Sequence, residues 1–226
     1  MKKMTVLLAG AMLMMASGIA SAYTFDFAST VVNGEYTSAV AGAKVETFDT
    51  NATPNLGWSW TGDYLIVSNG DNSGSYSAPA YNGVKETSDY VSVPKNLGGD
   101  VVDSVLVTNI GGLSNYLGLW WGSMDWYNTL TFYKGATTVA TITGTQVAHG
   151  TADGRQYNAD TNNYVNFYFG ANETFDSFRM SSSLYAFEAD NIAVGNVVPE
   201  PGTMMLLGLG LGGLAIFGKR RMNKEA

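Results

Sequence analysis

The chain has 226 residues and a mass of 24.1 kDa, with twelve basic residues, nineteen acidic residues and a net charge of −7. Between Tyr23 and Val198, six Lys or Arg stand against seventeen Asp or Glu, a net charge of −11, and so acidic a surface is unsuited to the phosphates of nucleic acids. Cysteine is absent and His149 is the only histidine, which excludes disulfides, thiolate catalysis and zinc sites built on Cys or on two His.

The N-terminal segment has the layout of an export signal. Lys2-Lys3 forms a basic start, residues 6–16 are mostly apolar, and Ala20-Ser21-Ala22 provides a small-residue cleavage site. This order predicts that signal peptidase cuts between Ala22 and Tyr23. The chain thus divides into a signal peptide (1–22), one domain of about 175 residues (23–196) and a C-terminal targeting segment (197–226).

The domain consists of short runs rich in β-branched and aromatic residues, each bounded by turn-forming residues. Ten runs predict strands: 23–32, 64–68, 89–93, 101–109, 116–121, 129–133, 137–143, 164–169, 175–180 and 186–193. The runs on either side of Gly135 are predicted to form a hairpin. No stretch keeps a 3.6-residue apolar period over three helical turns. The pattern predicts an all-β fold, a two-sheet sandwich of jelly-roll or immunoglobulin-like type.

An aromatic cluster over residues 120–127 is the first candidate binding site. Because neighbouring strand residues face opposite sides, one of Trp120 and Trp121 is expected in the core and the other at the surface or under a loop. An exposed indole beside Asp125 and Asn128 would stack on a sugar. The candidate glycan contacts are Trp120, Trp121, Asp125, Trp126 and Asn128. The favoured interpretation is a core tryptophan followed by a tight turn whose polar side chains satisfy loop amides.

Acidic residues near the end of the domain are the second candidate site. On a strand, Glu188 and Asp190 point the same way about 7 Å apart, a spacing that allows glycosidase chemistry. Calcium ligation is the better hypothesis, because Ca²⁺ prefers carboxylate and carbonyl oxygens from loops. The candidate calcium ligands are Asp190, Asn191 and Asp49. Solvated acidic loops remain the favoured alternative, and no other cofactor is predicted.

The C-terminal segment is the most specific pattern in the chain. Pro199-Glu200-Pro201 precedes residues 202–218, seventeen residues without a charge, and Lys219-Arg220-Arg221 follows. As a helix rising about 1.5 Å per residue, this run is about 26 Å long and just crosses a thin bilayer. The basic cluster would hold the chain end in the cytoplasm with the domain outside. A single transmembrane helix is therefore predicted over 202–218.

This order of Pro-Glu-Pro, apolar span and basic cluster resembles the PEP-CTERM sorting signal of Gram-negative bacteria. The resemblance rests on Pro199, Glu200 and Pro201, the Gly/Leu-rich span, and Arg220-Arg221 behind Lys219. It implies recognition by an exosortase, a membrane protease-transpeptidase, from an inner-membrane intermediate. Cleavage near Pro-Glu-Pro would then release the domain or attach it at the surface. The alternative is an ordinary membrane anchor that stays uncut.

Four blocks of the domain resemble one family of exosortase-dependent surface proteins. They are Val45–Asp49, Gly118–Tyr133, Tyr164–Phe167 and Ala186–Ala193, in the order in which the family has them. Because that family has no established catalytic activity to transfer, the resemblance implies a location and no chemistry.

These patterns together predict an exported, non-catalytic protein of the cell surface or extracellular matrix, structural or adhesive in a polysaccharide-rich matrix or biofilm. The alternative is a carbohydrate-binding module, with or without calcium, and a secreted glycosidase is a distant third. Glycan binding predicts an exposed tryptophan in a groove. An enzyme predicts two carboxylates facing each other across an open cleft.

Overall fold

The computed structural model describes residues 23–50, 52–68, 70–72, 74–95, 103–170 and 172–197. Its strands are β1 (Tyr23–Asp26), β2 (Thr30–Val32), β3 (Glu35–Thr37), β4 (Lys44–Glu46), β5 (Ser59–Gly62), β6 (Leu65–Ser68), β7 (Ala80–Tyr81), β8 (Val84–Lys85), β9 (Asp89–Val93), β10 (Asp103–Thr108), β11 (Tyr116–Gly122), β12 (Asn128–Lys134), β13 (Thr137–Thr143), β14 (Asn163–Phe169), β15 (Ser177–Ser182) and β16 (Phe187–Gly195). The helix of this part of the chain is the single turn α1 (Gly144–Val147). The predicted all-β fold is confirmed.

Two antiparallel sheets form the body of the domain. The seven-stranded sheet has the order β1-β14-β11-β16-β9-β6, and β4 pairs with β16; the five-stranded sheet has the order β13-β12-β15-β10-β5. The predicted hairpin on either side of Gly135 is β12 and β13, paired from Thr129↔Thr143 to Lys134↔Thr137. Two short hairpins, β2–β3 and β7–β8, lie outside both sheets.

One hydrophobic core fills the space between the two sheets, as expected for a sandwich. Along β11, Leu117, Leu119 and Trp121 belong to this core, because alternate residues of a strand share a face. Aromatic rings join the sheets across it: the ring centroids of Phe132 on β12 and Phe167 on β14 lie 5.8 Å apart. The alternation of apolar residues along a strand therefore also decides which face of the strand meets the core.

The outer face of the seven-stranded sheet is buried as well. Glu188 and Asp190 of β16 lie on this face and are 2% and 0% exposed. A cover layer, defined here as residues 27–38, 71–72 and 74–88, packs over them. Its contacts with the sheet include a hydrogen bond between Ser38 and Tyr116 (2.7 Å) and one from the Ser77 amide to Glu188 (2.8 Å). The cover layer gives the domain a second, more polar interior.

Tight turns at two Asn-Gly pairs shape the cover layer. The φ angles are +54° and +92° at Asn33 and Gly34, and +49° and +78° at Asn82 and Gly83. Two successive positive φ values define the turn that matches the twist of a two-residue hairpin, and Asn-Gly is its preferred sequence. Each pair closes one hairpin, β2–β3 or β7–β8.

Gly118 is expected to tolerate no side chain, because the outer face is tightly packed there. A Cβ at this position would lie 2.7 Å from the Tyr164 ring and still closer to the Tyr116 hydroxyl. Gly118→Ala should lower the free energy of unfolding by about 1–3 kcal/mol through overpacking, measured by denaturant titration. Gly170→Ala is the control, since its Cβ would meet only the flexible end of Glu173. Equal stability of the two variants would contradict this packing.

The signal peptide (1–22) and the C-terminal residues 198–226 lie outside the described residues, and with them the predicted membrane span 202–218. Within the described part of the chain, no helix is long and apolar enough to cross a membrane.

Candidate functional site

A polar pocket of about 230 Å³ opens at one end of the sandwich, where β11 ends and β16 begins. Four stretches of chain meet there: residues 74–76 of the cover layer, the β11–β12 loop, residues 153–156, and residues 185–188 at the start of β16. The side chains that give it polar character are Tyr76, Ser123, Asp125, Tyr127, Asp153, Gln156 and Glu188. Nothing in the spacing of these residues along the chain indicates that they converge.

Backbone hydrogen bonds fix the rim of the pocket. The Trp126 amide donates to the Ala152 carbonyl (3.0 Å), and the Gly154 amide donates to the Met124 carbonyl (3.2 Å). Gly154 has φ +66°, and a Cβ there would overlap the Asp125 carboxylate. The two loops are thus joined so that Asp125 and Asp153 face the same space.

Glu188 lies at the floor of the pocket with both carboxylate oxygens occupied. Oε1 accepts from the Ser77 amide and Oε2 from the Ser123 hydroxyl, each at 2.8 Å. Burial raises the pKa of Glu188 to about 8, since the charged form loses its hydration, and the nearby charge of Asp125 adds to the rise. These hydrogen bonds favour the carboxylate but do not offset its burial.

Asp125 is a half-buried acid at the wall of the pocket. The Tyr127 hydroxyl donates to its Oδ2 (2.5 Å) and also lies within reach of the Tyr185 carbonyl. Burial raises the pKa of Asp125, the Tyr127 hydrogen bond opposes that rise, and the Asp153 carboxylate adds to it. The pocket therefore holds acids that are less acidic than in water.

The structure divides the five predicted glycan contacts. Trp120 and Trp121 are both fully buried: Trp121 stacks on Phe187 in the core at 4.3 Å, and Trp120 lies under the cover layer against Tyr36 at 5.6 Å. The expectation that one tryptophan fills the core and the other lies under a loop is confirmed. Neither has surface to offer a sugar, so the idea that they contact glycan is wrong.

The prediction that Asn128 contacts glycan is also wrong, because its side chain is buried and hydrogen-bonded within the domain. It is 0% exposed; its Oδ1 accepts from the Asp125 amide (2.8 Å) and its Nδ2 donates to the Ala186 carbonyl (2.9 Å). This is the loop-satisfying role that the sequence favoured. Trp126 is the opposite case: its indole is 63% exposed, its ring centroid lies 5.3 Å from that of Tyr127, and Asp125 and Tyr127 on either side of it line the pocket.

The three predicted calcium ligands lie near one another, but not in one coordination shell. Asp190 is fully buried on the outer face, whereas Asp49 and Asn191 line a separate pocket of about 270 Å³ with Glu35. In the described part of the chain no three acidic or histidine side chains converge closely enough to form a metal centre by themselves. Glu86, which sequence reasoning did not single out, is the acid that contacts Asp190.

His149 lies exposed in the bend after α1, with its ring 4.0 Å from the ring of Phe27. It contacts neither pocket.

The comparison with protein families identifies the PEP-CTERM protein-sorting motif at residues 197–221, which confirms the resemblance seen in the C-terminal segment. This motif implies an exported protein that is anchored at the membrane before an exosortase processes it, and hence an exosortase-targeted surface protein. The comparison with curated proteins finds no match.

Among solved structures, the chain is similar to the K2 cleaved adhesin domain of Lys-gingipain. The sequence identity is 15%, the TM-score is 0.35, and the alignment covers 69% of this chain and 99% of that domain.

Proposed function

We propose that this protein is an adhesive component of a polysaccharide-rich extracellular matrix or biofilm of a Gram-negative bacterium. In this proposal the polar pocket and Trp126 bind the polysaccharide, and the domain performs no catalysis. The observation that carries it is an indole 63% exposed between Asp125 and Tyr127, two residues that line a polar pocket. A tryptophan this open presents a large, flat apolar face on which the apolar face of a ligand can pack.

The chemistry of the pocket suits a sugar. The apolar face of a pyranose ring packs on a flat indole, and its hydroxyls need acceptors and donors at a short distance. The pocket offers the carboxylate of Asp153 and the side-chain amide of Gln156, whose Oε1 accepts from Lys85 Nζ at 3.0 Å and whose NH₂ remains a donor. Asp153 is also paired with Arg155 at 3.0 Å, which holds its carboxylate in one place.

The state of the acids supports binding without cleavage. Glycoside hydrolysis needs one carboxyl that reaches the leaving oxygen and a second that reaches the anomeric carbon or a water. Glu188 is 2% exposed and both its oxygens accept hydrogen bonds from the protein. Asp125 is held by Tyr127. Glu188 therefore has no free oxygen to present to a bound sugar, and the acids that line the open pocket, Asp125 and Asp153, serve as hydrogen-bond acceptors in this proposal.

Trp126→Ala is expected to weaken retention on columns of the polysaccharide from the producing cells about tenfold or more. The reason is that loss of an aromatic anchor at a binding site commonly costs 1.4 kcal/mol or more, which corresponds to that factor. Affinity electrophoresis or retention on the immobilised polysaccharide measures it. Leu113→Ala is the matched control, because Leu113 is 49% exposed and lies in the loop at the other end of β11.

Unchanged retention of Trp126→Ala would rule out this binding site, and equal loss in Leu113→Ala would show a nonspecific effect. If none of the cell's own polysaccharides retains the wild-type protein, a purely structural role becomes the better account. Release of new reducing ends by the wild-type protein would overturn the non-catalytic assignment.

A further inference from the structure

Glu86 and Asp190 form a buried acidic pair beneath the cover layer. Glu86 is 8% exposed and Asp190 is 0% exposed, and their carboxyl groups lie within hydrogen-bond reach of each other. Burial raises the pKa of both acids; the charge of Glu86 raises the pKa of Asp190 further, whereas a hydrogen bond with Asp190 opposes the rise at Glu86. Two carboxyl groups taken out of water side by side need a proton or a cation between them.

Each carboxylate has one oxygen satisfied by the protein and one left over. Glu86 Oε2 accepts from the Ser88 hydroxyl (3.0 Å) and Asp190 Oδ2 from the Asn191 amide (3.0 Å). Glu86 Oε1 and Asp190 Oδ1 are buried and have no hydrogen-bond donor. Buried polar atoms are normally paired, so two unpaired carboxylate oxygens at one place indicate a missing positive partner.

The surroundings add further oxygens and negative charge. The neighbouring pocket of about 270 Å³ is lined by Glu35, Asp49 and Asn191, and the charges of Glu35 and Asp49 act on both buried acids. Among the residues that the structure describes, no basic side chain lines it. Asn191, the neighbour of Asp190 on β16, lines this pocket, so the pocket lies on the side from which a cation would approach the pair.

We propose that Glu86 and Asp190 bind one calcium ion, which enters through the pocket lined by Glu35, Asp49 and Asn191. The donors are all oxygens, which excludes a site of the zinc type and suits Ca²⁺, whose six to eight oxygen ligands are completed by carbonyls, amides and waters. Mg²⁺ fits less well because it demands a regular octahedron and gives up its waters reluctantly. The weak calcium affinity that is typical of extracellular protein modules is sufficient for an exported protein.

The ion would connect the cover layer to the sheet. Glu86 belongs to the cover layer, directly after β8, whereas Asp190 belongs to β16 at the centre of the seven-stranded sheet. In the absence of the ion the two acids repel and the cover layer is held less tightly. Calcium binding would then be part of the folding free energy of the domain.

The test is thermal unfolding of the exported protein, purified with EGTA and then titrated with CaCl₂ or MgCl₂. At ten times the dissociation constant, calcium should raise Tm by about 3–6 °C for a domain of this size, with one ion per chain by titration calorimetry. Glu86→Gln and Asp190→Asn should each abolish the calcium-dependent shift. Asp176→Asn, which makes the same charge change just before β15 of the five-stranded sheet, should keep it.

Three results would contradict the proposal. If the wild-type Tm does not respond to calcium, the acidic pair shares a proton and binds no ion. If the calcium-dependent shift persists in Glu86→Gln, calcium binds somewhere other than the pair. An equal shift with magnesium would overturn the calcium assignment. Glu86→Gln carries the test if Asp190→Asn fails to fold, because Glu86 lies in the cover layer and not in a sheet strand.

Discussion

Replacing Pro199, Glu200 and Pro201 together by alanine is expected to leave the chain uncut and in the membrane fraction. The sorting motif occupies residues 197–221. A processing enzyme has to bind an extended backbone, and proline keeps the residue before it out of the helical region. The triple replacement removes both the recognised side chains and this restriction. Intact-mass spectrometry of chains from the membrane and matrix fractions measures the result.

Alanine at Met222, Asn223 and Lys224 is the matched control, because these three residues lie just beyond the motif. The control and the wild type should both appear in the matrix fraction, starting at Tyr23 and ending near Pro199. A wild-type chain that keeps residues 202–226 would show an ordinary membrane anchor. Normal cutting of the Pro-Glu-Pro variant would show that other residues direct the enzyme.

Most strands of the two sheets could be predicted, because a strand that is buried on one face carries apolar residues at alternate positions. The predicted runs 89–93 and 137–143 coincide with β9 and β13. Along β11, every second residue from Leu117 to Trp121 faces the core. Five short strands, β3, β4, β5, β7 and β8, were not predicted. They have two to four residues each, too few for a period of two to emerge. The Asn-Gly pairs that close two hairpins were the available indication.

The cover layer could not be predicted, because a strand's sequence does not say what lies over its second face. In a sandwich the outer face of a sheet is expected to meet water, so the sequence favoured solvated carboxylates at Glu188 and Asp190. Their partners are remote in sequence: Ser77 bonds Glu188 across 111 residues. Such pairing depends on tertiary structure alone.

The candidate site shows the same division. The sequence placed Asp125 and Trp126 correctly at a loop, since aromatic and polar residues after a Gly-Ser turn indicate one. It also predicted that Glu188 and Asp190 share a face, which is confirmed by Phe187 and Ala189 in the core. The sequence could not show that the two acids belong to separate sites: Glu188 lies at the floor of the polar pocket, and Asp190 lies beside Glu86.

Stability is expected to fall as pH rises from about 4.5 to about 8, and Glu188→Gln should remove the share of that fall that Glu188 contributes. Burial raises the pKa of folded Glu188 to about 8 from an ordinary value of 4.5. Within this window the unfolded chain has lost the proton and the folded chain keeps it, so unfolding releases a proton and rising pH favours it. The slope from one such group approaches about 1.4 kcal/mol per pH unit.

Glutamine should fit at this position because it imitates the protonated acid. Its carbonyl oxygen accepts from the Ser77 amide, and its NH₂ donates to the Ser123 hydroxyl, which is able to accept. The variant should therefore be more stable than the wild type at pH 8 and similar to it at pH 4.5. Urea unfolding at several pH values, in EGTA to keep the Glu86–Asp190 pair free of cations, measures the difference.

Glu173→Gln, in the exposed loop before β15, is the control for the loss of one carboxylate. Other groups face Glu188, namely Asp125, whose pKa is also raised, and the Tyr127 and Tyr90 hydroxyls, so some pH dependence remains in the variant. The difference between wild type and Glu188→Gln isolates the one group. A variant whose stability falls as steeply as the wild type's would mean that Glu188 is already ionised in the fold. The polar pocket would then be a strongly anionic site, better suited to a cation than to the hydroxyls of a sugar.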